Sequence, residues 1–579
     1  MRVLLTALDS KFIHSNLALR YLNKIAEQSS WDVVFHERTI NDDVDLILNE
    51  LIQFHPDLLV FSCYIWNIEY VRQLSEAVRM VLPQTMILCG GPEVAYDAEN
   101  FLQEVPADGV MVGEGEVIFP EVLNALEASH HQNSDHFLTE LLREIPGLML
   151  RLDDGSIRLT APARLADMSE VPFPYDKEDL GRLEHRIVYY EGQRGCPYGC
   201  TYCLSSIDRT LRHKPVEMVK RELGVLMDAK VPLVKLVDRT FNIKEDWAFD
   251  ILSFLLSESI QRGGHTSFHF EVGAATLSDR LIQTLNQAPP GLFQIEAGIQ
   301  TTDPWVLRLI NRRDDPVQLR DALNRIIEAG NVHVHTDLIA GLPGDTLETF
   351  RNSFNDCIKM RPQMLQVGFL KVLKGTPLWH SASQYDIRFR PWPPYEVLGT
   401  DRMSYEDLRI IKLIEQVTDK YYNSGKFACC MKYLLSIFDE PWELFIIIAE
   451  LLLKYQKRIS AVSFEDYYRA LNDLRETLTP EQSAVLADLL RFDYILGNRK
   501  GNFPEWLKSQ KYNSSRGRIL FSDRDNFQLK GSVEGFRIKV LRFWQSGEII
   551  AGESLIFYSL AYPDLIEVRH ISGTDYTPA

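Results

Sequence analysis

The chain has 579 residues, 45% hydrophobic and 25% charged, which is enough for several buried cores and suggests three or more domains. Its 62 Lys and Arg against 80 Asp and Glu leave a net charge of −18, which opposes broad binding to a phosphate backbone, so no nucleic-acid partner is expected. The most apolar run, residues 444–453, is too short for a bilayer and contains Glu450. The N-terminus enters a strand directly and lacks a signal-peptide pattern. With only eight cysteines in this length, a cytoplasmic protein without a membrane partner is expected.

Residues 1–125 alternate strands and helices. Apolar strands are predicted at 3–7, 57–62, 86–92 and 109–113. Helices are predicted at 17–26, at 68–81 with Val71, Leu74, Val78 and Val81 on one face, and at 117–126. This alternation predicts a doubly wound, Rossmann-like parallel sheet. Such sheets bind ligands at the carboxyl ends of their strands, here the loops 62–67, 90–93 and 113–116. Glycine pairs there permit close backbone approach to a ligand.

The segments Cys89-Gly90-Gly91-Pro92-Glu93 and Val112-Gly113-Glu114-Gly115-Glu116 together resemble the cobalamin-binding domain fused to many radical S-adenosylmethionine (SAM) enzymes. The resemblance implies that these loops surround a corrin ring and its nucleotide tail. It makes Ser62, Trp66, Gly90, Gly91, Pro92, Glu93, Gly113, Glu114, Gly115 and Glu116 candidate cobalamin contacts; the alternative is a domain of this fold that has lost its ligand. Family members that supply a histidine to cobalt carry Asp-x-His-x-x-Gly after the first strand. Here the loop reads Phe12-Ile13-His14-Ser15-Asn16-Leu17, without the aspartate that would orient the imidazole. Cobalt without a histidine lower ligand is therefore expected. His14 is read as a loop residue or a contact to the cofactor tail, and Tyr64 and Trp66 as candidates to cover the lower face.

Residues 126–185 read as a connector. It comprises a polar loop at 129–134, a hairpin at 147–159 around Asp153-Asp154-Gly155, and the stiff stretch Val171-Pro172-Phe173-Pro174-Tyr175.

Residues 186–395 open with a strand at 186–191 that delivers Gln193-Arg194-Gly195-Cys196-Pro197-Tyr198-Gly199-Cys200-Thr201-Tyr202-Cys203. Three cysteines in a tight loop are one short of a structural zinc site and odd for disulfides. A cubane cluster held by three thiolates leaves one iron open to another ligand. The loop resembles that of the radical SAM superfamily, in which three such cysteines hold a 4Fe-4S cluster and the open iron chelates SAM; Tyr202 also fits the family pattern. Further strands at 233–238, 268–272, 292–300 and 332–340 predict a partial (β/α)6 barrel with its chemistry at the carboxyl-terminal mouth. Asp238-Arg239-Thr240-Phe241, Gly298-Ile299-Gln300 and Gly341-Leu342-Pro343-Gly344-Asp345-Thr346 resemble enzymes of the coproporphyrinogen-oxidase and methylthiotransferase type. By that resemblance Asp238 lies near the SAM amino end, Glu271 and Gln300 face its ribose or methionine portion, and Gly341 opens a turn under the adenosine.

Residues 396–579 read as helices at 405–422, 443–454 and 464–474 and from Pro480, with Thr479 as its N-cap, then strands at 519–521, 535–543 and 554–558. Cys429 and Cys430 read as buried thiols in a helix. The layout resembles bacterial cobalamin-dependent radical SAM proteins with an uncharacterised C-terminal domain, which is expected to cover the barrel mouth.

The resemblance implies three cofactors: a 4Fe-4S cluster, SAM and cobalamin. It implies SAM cleavage to a 5′-deoxyadenosyl radical, methylation of an unactivated carbon of an unknown substrate, and a reducing partner such as flavodoxin or ferredoxin. The alternatives are a radical cyclisation or rearrangement without methyl transfer and, behind it, a non-catalytic cobalamin- or redox-responsive regulator. Methylthiolation is disfavoured, because Cys63 and Cys89 stand isolated in predicted sheet positions.

Overall fold

Strand Arg2–Asp9 is buried along nearly its whole length and pairs in parallel with Asp32–Thr39 on one side and Leu58–Ser62 on the other. Met86–Gly90 and Gly109–Met111 continue the parallel sheet outward from Leu58–Ser62. The chain thus reverses direction across the sheet at Arg2–Asp9. A crevice opens at such a switch point, beyond the carboxyl ends of the strands. The computed structural model describes residues 2–27, 29–132, 135–456, 458–498, 503–508, 515–520, 528–559, 562–572 and 575–578. It divides into two units, Met1–Thr346 with Phe369–Ser404, and Leu347–Gly368 with Tyr405–Ala579.

Three features of the first unit differ from the sequence expectation. Asp32–Thr39 is a strand the pattern does not announce; it lies at a sheet edge, half-buried, and mixes valines with Glu37 and Arg38. The hairpin Leu148–Arg151 and Ile157–Leu159 is not a free connector but extends this same sheet, antiparallel to Gly109–Met111. The polar residues from Ser129 to Gln132 are not loop, because helix Gly115–Gln132 runs through them; 133 and 134 lie outside the described residues. Helix Leu17–Ala26 begins as its pattern predicts, and the Asn16 side chain caps it by accepting from the Leu19 amide at 2.9 Å.

A second parallel sheet in this unit runs in the order His333–Ala340, Phe293–Gln300, Ser267–Glu271, Leu233–Leu236, Val188–Tyr190. Phe293–Gln300 and His333–Ala340 alternate buried and half-buried positions. One face of each packs beneath the helices, while Glu296, Gly298, Gln300 and Asp337 share the other. A sixth strand, Met364–Phe369, follows in sequence, with Met364–Gly368 assigned to the second unit.

The second unit joins a helical layer to a closed five-stranded barrel. Helix Pro441–Tyr455 contains the apolar run and buries Trp442, Phe445 and Ile448. No described helix is long and apolar enough to cross a membrane. Thr479 caps Pro480–Gly497 in a capping box with Gln482. Cys429 and Cys430 are buried at the start of helix Ala428–Ile437, where their amides donate to the Asp493 carboxylate at 3.1 and 2.9 Å. Of the predicted strand at 535–543, only the first part is strand: Gln528–Ile538 ends and helix Val540–Ser546 follows. Phe521 lies outside the described residues.

Candidate functional site

Two cavities meet in the first unit. The larger, of 470 Å³, lies at the carboxyl edge of the first sheet. Its walls are the start of helix Leu17–Ala26, Ser62 and Tyr64, Gly90 and Gly91, Gly113 to Glu116, and the segment Gln193-Arg194-Gly195. The smaller, of 220 Å³, lies at the mouth of the second sheet and is lined by Cys196, Cys200 and Cys203 with Tyr202, Glu271, Glu296, Gln300, Arg312 and Asp337. Ser205 and Arg239 line both.

The cysteine loop is held by backbone pairing and by two side chains. The short antiparallel pair Gln193–Arg194 and Arg212–His213 closes its base, and the Cys196 amide donates to the Asp208 carbonyl at 3.0 Å. Gly195 makes this closure possible. Its φ is +89°, and a Cβ there would sit 2.3 Å from the Thr210 carbonyl oxygen. Ser206 Oγ lies 2.8 and 2.7 Å from the Cys200 and Cys203 carbonyls. Asn311 donates to the Gly199 carbonyl at 2.8 Å, and the Thr201 amide to that of Ile310 at 3.0 Å. Cys196 and Cys200 are buried and Cys203 half-buried, all three facing one cavity. Burial pushes the Cys196 and Cys200 thiols above their ordinary range. A loop fixed this tightly, with three thiols and no fourth cysteine on the cavity wall among the described residues, suits a cluster with an open iron.

The glycine loops wall the larger cavity with backbone. Gly91 has φ +112°, and a Cβ on it would lie 2.5 Å from the Cys63 carbonyl oxygen. The side chains of the second glycine loop do something the sequence does not indicate. Glu114 accepts from Arg212 at 2.7 and 2.9 Å, and Glu116 from Arg194 at 2.6 Å. Arg194 also grips Glu191, at 2.9 and 2.7 Å. Burial alone would raise the Glu114 carboxyl, but Arg212 and Arg194 hold it below its ordinary value. The acids therefore clamp the first sheet to the second, and the loop backbone is left to face the cavity. Gln193 also faces it, with its Oε1 buried and unpartnered and its Nε2 donating to the Thr240 carbonyl at 2.6 Å.

Several expected contacts lie elsewhere. Trp66 is outside the cavity lining; it stacks on Tyr64 with ring centroids 4.5 Å apart and donates to the Leu8 carbonyl, so Tyr64 presents the aromatic face instead. Glu93 turns away as well, accepting from the Tyr395 hydroxyl and lying 3.6 Å from Lys374, because Pro92 starts a short helix that carries it inward. His14 pairs with the Tyr189 hydroxyl at 2.7 Å and is not on the cavity wall. Asp238 lines neither cavity: it is fully buried, and its Oδ1 accepts from the Gly192 and Gln193 amides at 2.8 and 3.0 Å. Burial pushes its carboxyl up to about 8, and the two amide bonds tie it beneath the loop. Gly341, with φ +83°, packs against Val397 instead of lining the cavity.

Glu271 and Gln300 do line the smaller cavity, and the Gln300 Oε1 there is buried without a partner. Burial raises Glu271 to about 7, opposed by Arg239 at 3.9 Å. Glu296 contrasts with it. Burial works against its charge, but His269 and Lys235, each at 3.0 Å, hold it well below the usual carboxylate range. Asp337 pairs with His335 at 3.0 Å. Sequence reasoning missed Glu296 and Asp337, although alternation along their strands puts them on the face of Gln300. It also missed Arg312, which donates to Asp314 at 2.5 Å and to the Gly298 carbonyl.

Three family models match successive parts of the chain. The B12 binding domain family matches residues 3–123, the radical SAM superfamily 190–357, and a family described as protein of unknown function (DUF4080) 383–537. The chain therefore carries a B12-binding and a radical SAM domain followed by a DUF4080 region. It is 28% identical over 398 residues to the cobalamin-dependent radical SAM methyltransferase TokK of Streptomyces tokunonensis; the match spans 66% of this chain and 57% of that one. Two solved structures share the fold. OxsB, a cobalamin-dependent S-adenosylmethionine radical enzyme solved with aqua-cobalamin bound, gives a TM-score of 0.59 at 14% identity, covering 87% of this chain and 82% of that one. The radical S-adenosylmethionine methyltransferase TsrM of Kitasatospora setae, solved with tryptophan and a SAM analogue, gives 0.57 at 16% identity, covering 66% and 76%.

Proposed function

We propose that this chain is a cobalamin-dependent radical SAM enzyme that methylates an unactivated carbon of a small-molecule substrate. The observation that carries the reading is the junction of the two cavities: the glycine-walled space and the three-cysteine space share Ser205 and Arg239, so what binds in one faces what binds in the other. When bound, the cluster would supply the electron that cleaves SAM, and the corrin a methyl group for the substrate.

The chain's own residues supply position and shielding. Cys196, Cys200 and Cys203 would hold the cluster, and Gly195 sets the loop's closure. Glu271, whose carboxyl burial raises to about 7, and the unpartnered Gln300 Oε1 offer hydrogen-bonding groups to SAM hydroxyls or its amino group. Gly90, Gly91 and Gly113 let the corrin approach backbone, and Tyr64 rather than His14 stands on that wall. The pairing of His14 with the Tyr189 hydroxyl, away from the cavity wall, supports a corrin that would bind without a histidine from this chain. The reductant is a small electron carrier such as flavodoxin or ferredoxin.

Anaerobic incubation of the reconstituted enzyme with SAM, reductant and fractionated metabolites tests this. Methylation requires both 5′-deoxyadenosine and S-adenosylhomocysteine and a product heavier by one CH2 unit. A product of unchanged mass would instead indicate a radical cyclisation or rearrangement, and the absence of both SAM products would end the reading.

A further inference from the structure

The arginines around the two cavities are not equivalent. Arg194 is taken up by Glu191 and Glu116, Arg212 by Glu114 and Asp208, and Arg312 by Asp314 and the Gly298 carbonyl. Arg239 differs. Its guanidinium makes no direct hydrogen bond among the described residues, and its nearest carboxylate oxygen, on Glu271, is 3.9 Å away. Its side chain is 55% exposed, into the space where the cavities meet. Arg313 also lacks a carboxylate partner among the described residues, but it lines only the smaller cavity.

We propose that Arg239 is the receptor for an anionic group on the substrate, and that the substrate is a small molecule carrying a carboxylate or phosphate close to the carbon that reacts. The inference rests on the proposed function, which requires the substrate to sit between the two cavities. Filling both strips water from whatever stands at their junction. A guanidinium losing its water there needs a counter-charge, because an unpaired buried charge is costly. Glu271, at 3.9 Å, is beyond hydrogen-bonding distance, and with burial raising its carboxyl to about 7 it is only part-ionised at neutral pH, so the chain meets that need only in part. An incoming carboxylate or phosphate supplies the rest, and the planar fork of arginine binds either one through two parallel hydrogen bonds, which fixes orientation as well as position.

The test is arginine labelling of the cobalamin- and cluster-loaded full chain with phenylglyoxal under anaerobic conditions, with the Arg239 peptide quantified by mass spectrometry. Separate arms contain chloride, propionate, inorganic phosphate, or SAM, at matched ionic strength. Arg239 is expected to react readily in chloride and in SAM. Propionate or phosphate should slow it about threefold at roughly twice the probe's dissociation constant. The arm that protects identifies the substrate's group as carboxylate or phosphate. Arg194, held by two carboxylates, should stay unlabelled throughout. The proposal is overturned if neither anion protects better than chloride, or if SAM alone removes the labelling, since the guanidinium then belongs to the cosubstrate. A preparation that takes up no cluster and no corrin would instead overturn the proposed function, and its spectrum reports this before any label is added.

Discussion

Replacing Gly195 with alanine should empty the cysteine loop of iron while leaving the fold standing. The residue has φ +89°, and the new Cβ would lie 2.3 Å from the Thr210 carbonyl oxygen and 2.9 Å from its carbon. The left-handed conformation costs alanine about 1–2 kcal/mol. The clash adds more, because both partners are backbone and neither can rotate away. To restore a 3.0 Å contact the strands must part by about 0.7 Å. That displacement exceeds the ~0.2 Å tolerance of metal–ligand distances. It falls on the residue next to Cys196, whose amide is bonded to the Asp208 carbonyl across the same gap. A total penalty of about 3 kcal/mol is within reach of a domain of ordinary stability, so the protein should fold and lose cluster rather than unfold. The assay is iron and sulfide content after anaerobic reconstitution, beside corrin content. Gly181→Ala, at a helical glycine with nothing within 4 Å, is the control and should match the parent. A Gly195→Ala protein with full iron and sulfide would refute the claim that this turn sets the cluster geometry.

Other outcomes follow from the same geometry. Cys200→Ala should abolish iron–sulfur absorption and SAM cleavage but keep corrin absorption, since Cys200 lines only the smaller cavity; surviving SAM cleavage would contradict the ligand assignment. Burial holds Asp238 at about 8 against an ordinary 3.8, so the folded chain favours the protonated acid. Its contribution is complete below pH ~4 and lost as pH rises towards ~8, by an amount of order 5 kcal/mol. Asp238→Asn should therefore lose less stability than the parent between these limits, and parallel urea-unfolding curves at the two pH values would count against it. Arg194→Met leaves Glu116 and Glu191 mostly buried without their cation and should cost about 3–5 kcal/mol. Adding Glu116→Gln should recover part of that loss in the same unfolding measurement.

What the sequence made legible was local and backbone-driven. The cysteine loop and the two glycine loops are contiguous stretches, so the pattern names them, although the contacts that require Gly91 and Gly195 come from the backbone of Cys63 and Thr210. Side-chain direction is less visible. Nothing in Ser62-Cys63-Tyr64-Ile65-Trp66 says that the indole stacks behind the phenol and leaves the phenol on the wall. Asp238 ends a strand and could point into the mouth or beneath the loop, and two backbone amides decide in favour of the loop. Glu114 and Glu116 sit in the expected loop, but their partners, Arg212 and Arg194, lie 98 and 78 residues away, and such long-range pairing leaves no mark on spacing. The edge strand Asp32–Thr39 was hidden for a related reason: half-buried positions tolerate Glu37 and Arg38, and these ion-pair with Arg186 and Glu50 rather than break the strand.

An anaerobic ultraviolet–visible spectrum of the purified full chain, with metal analysis of the same sample, tests the two-cavity account most directly. Corrin and iron–sulfur absorption should appear together, and Cys196→Ala should remove only the second. Zinc in place of iron, or a chain that takes up neither chromophore, would contradict it.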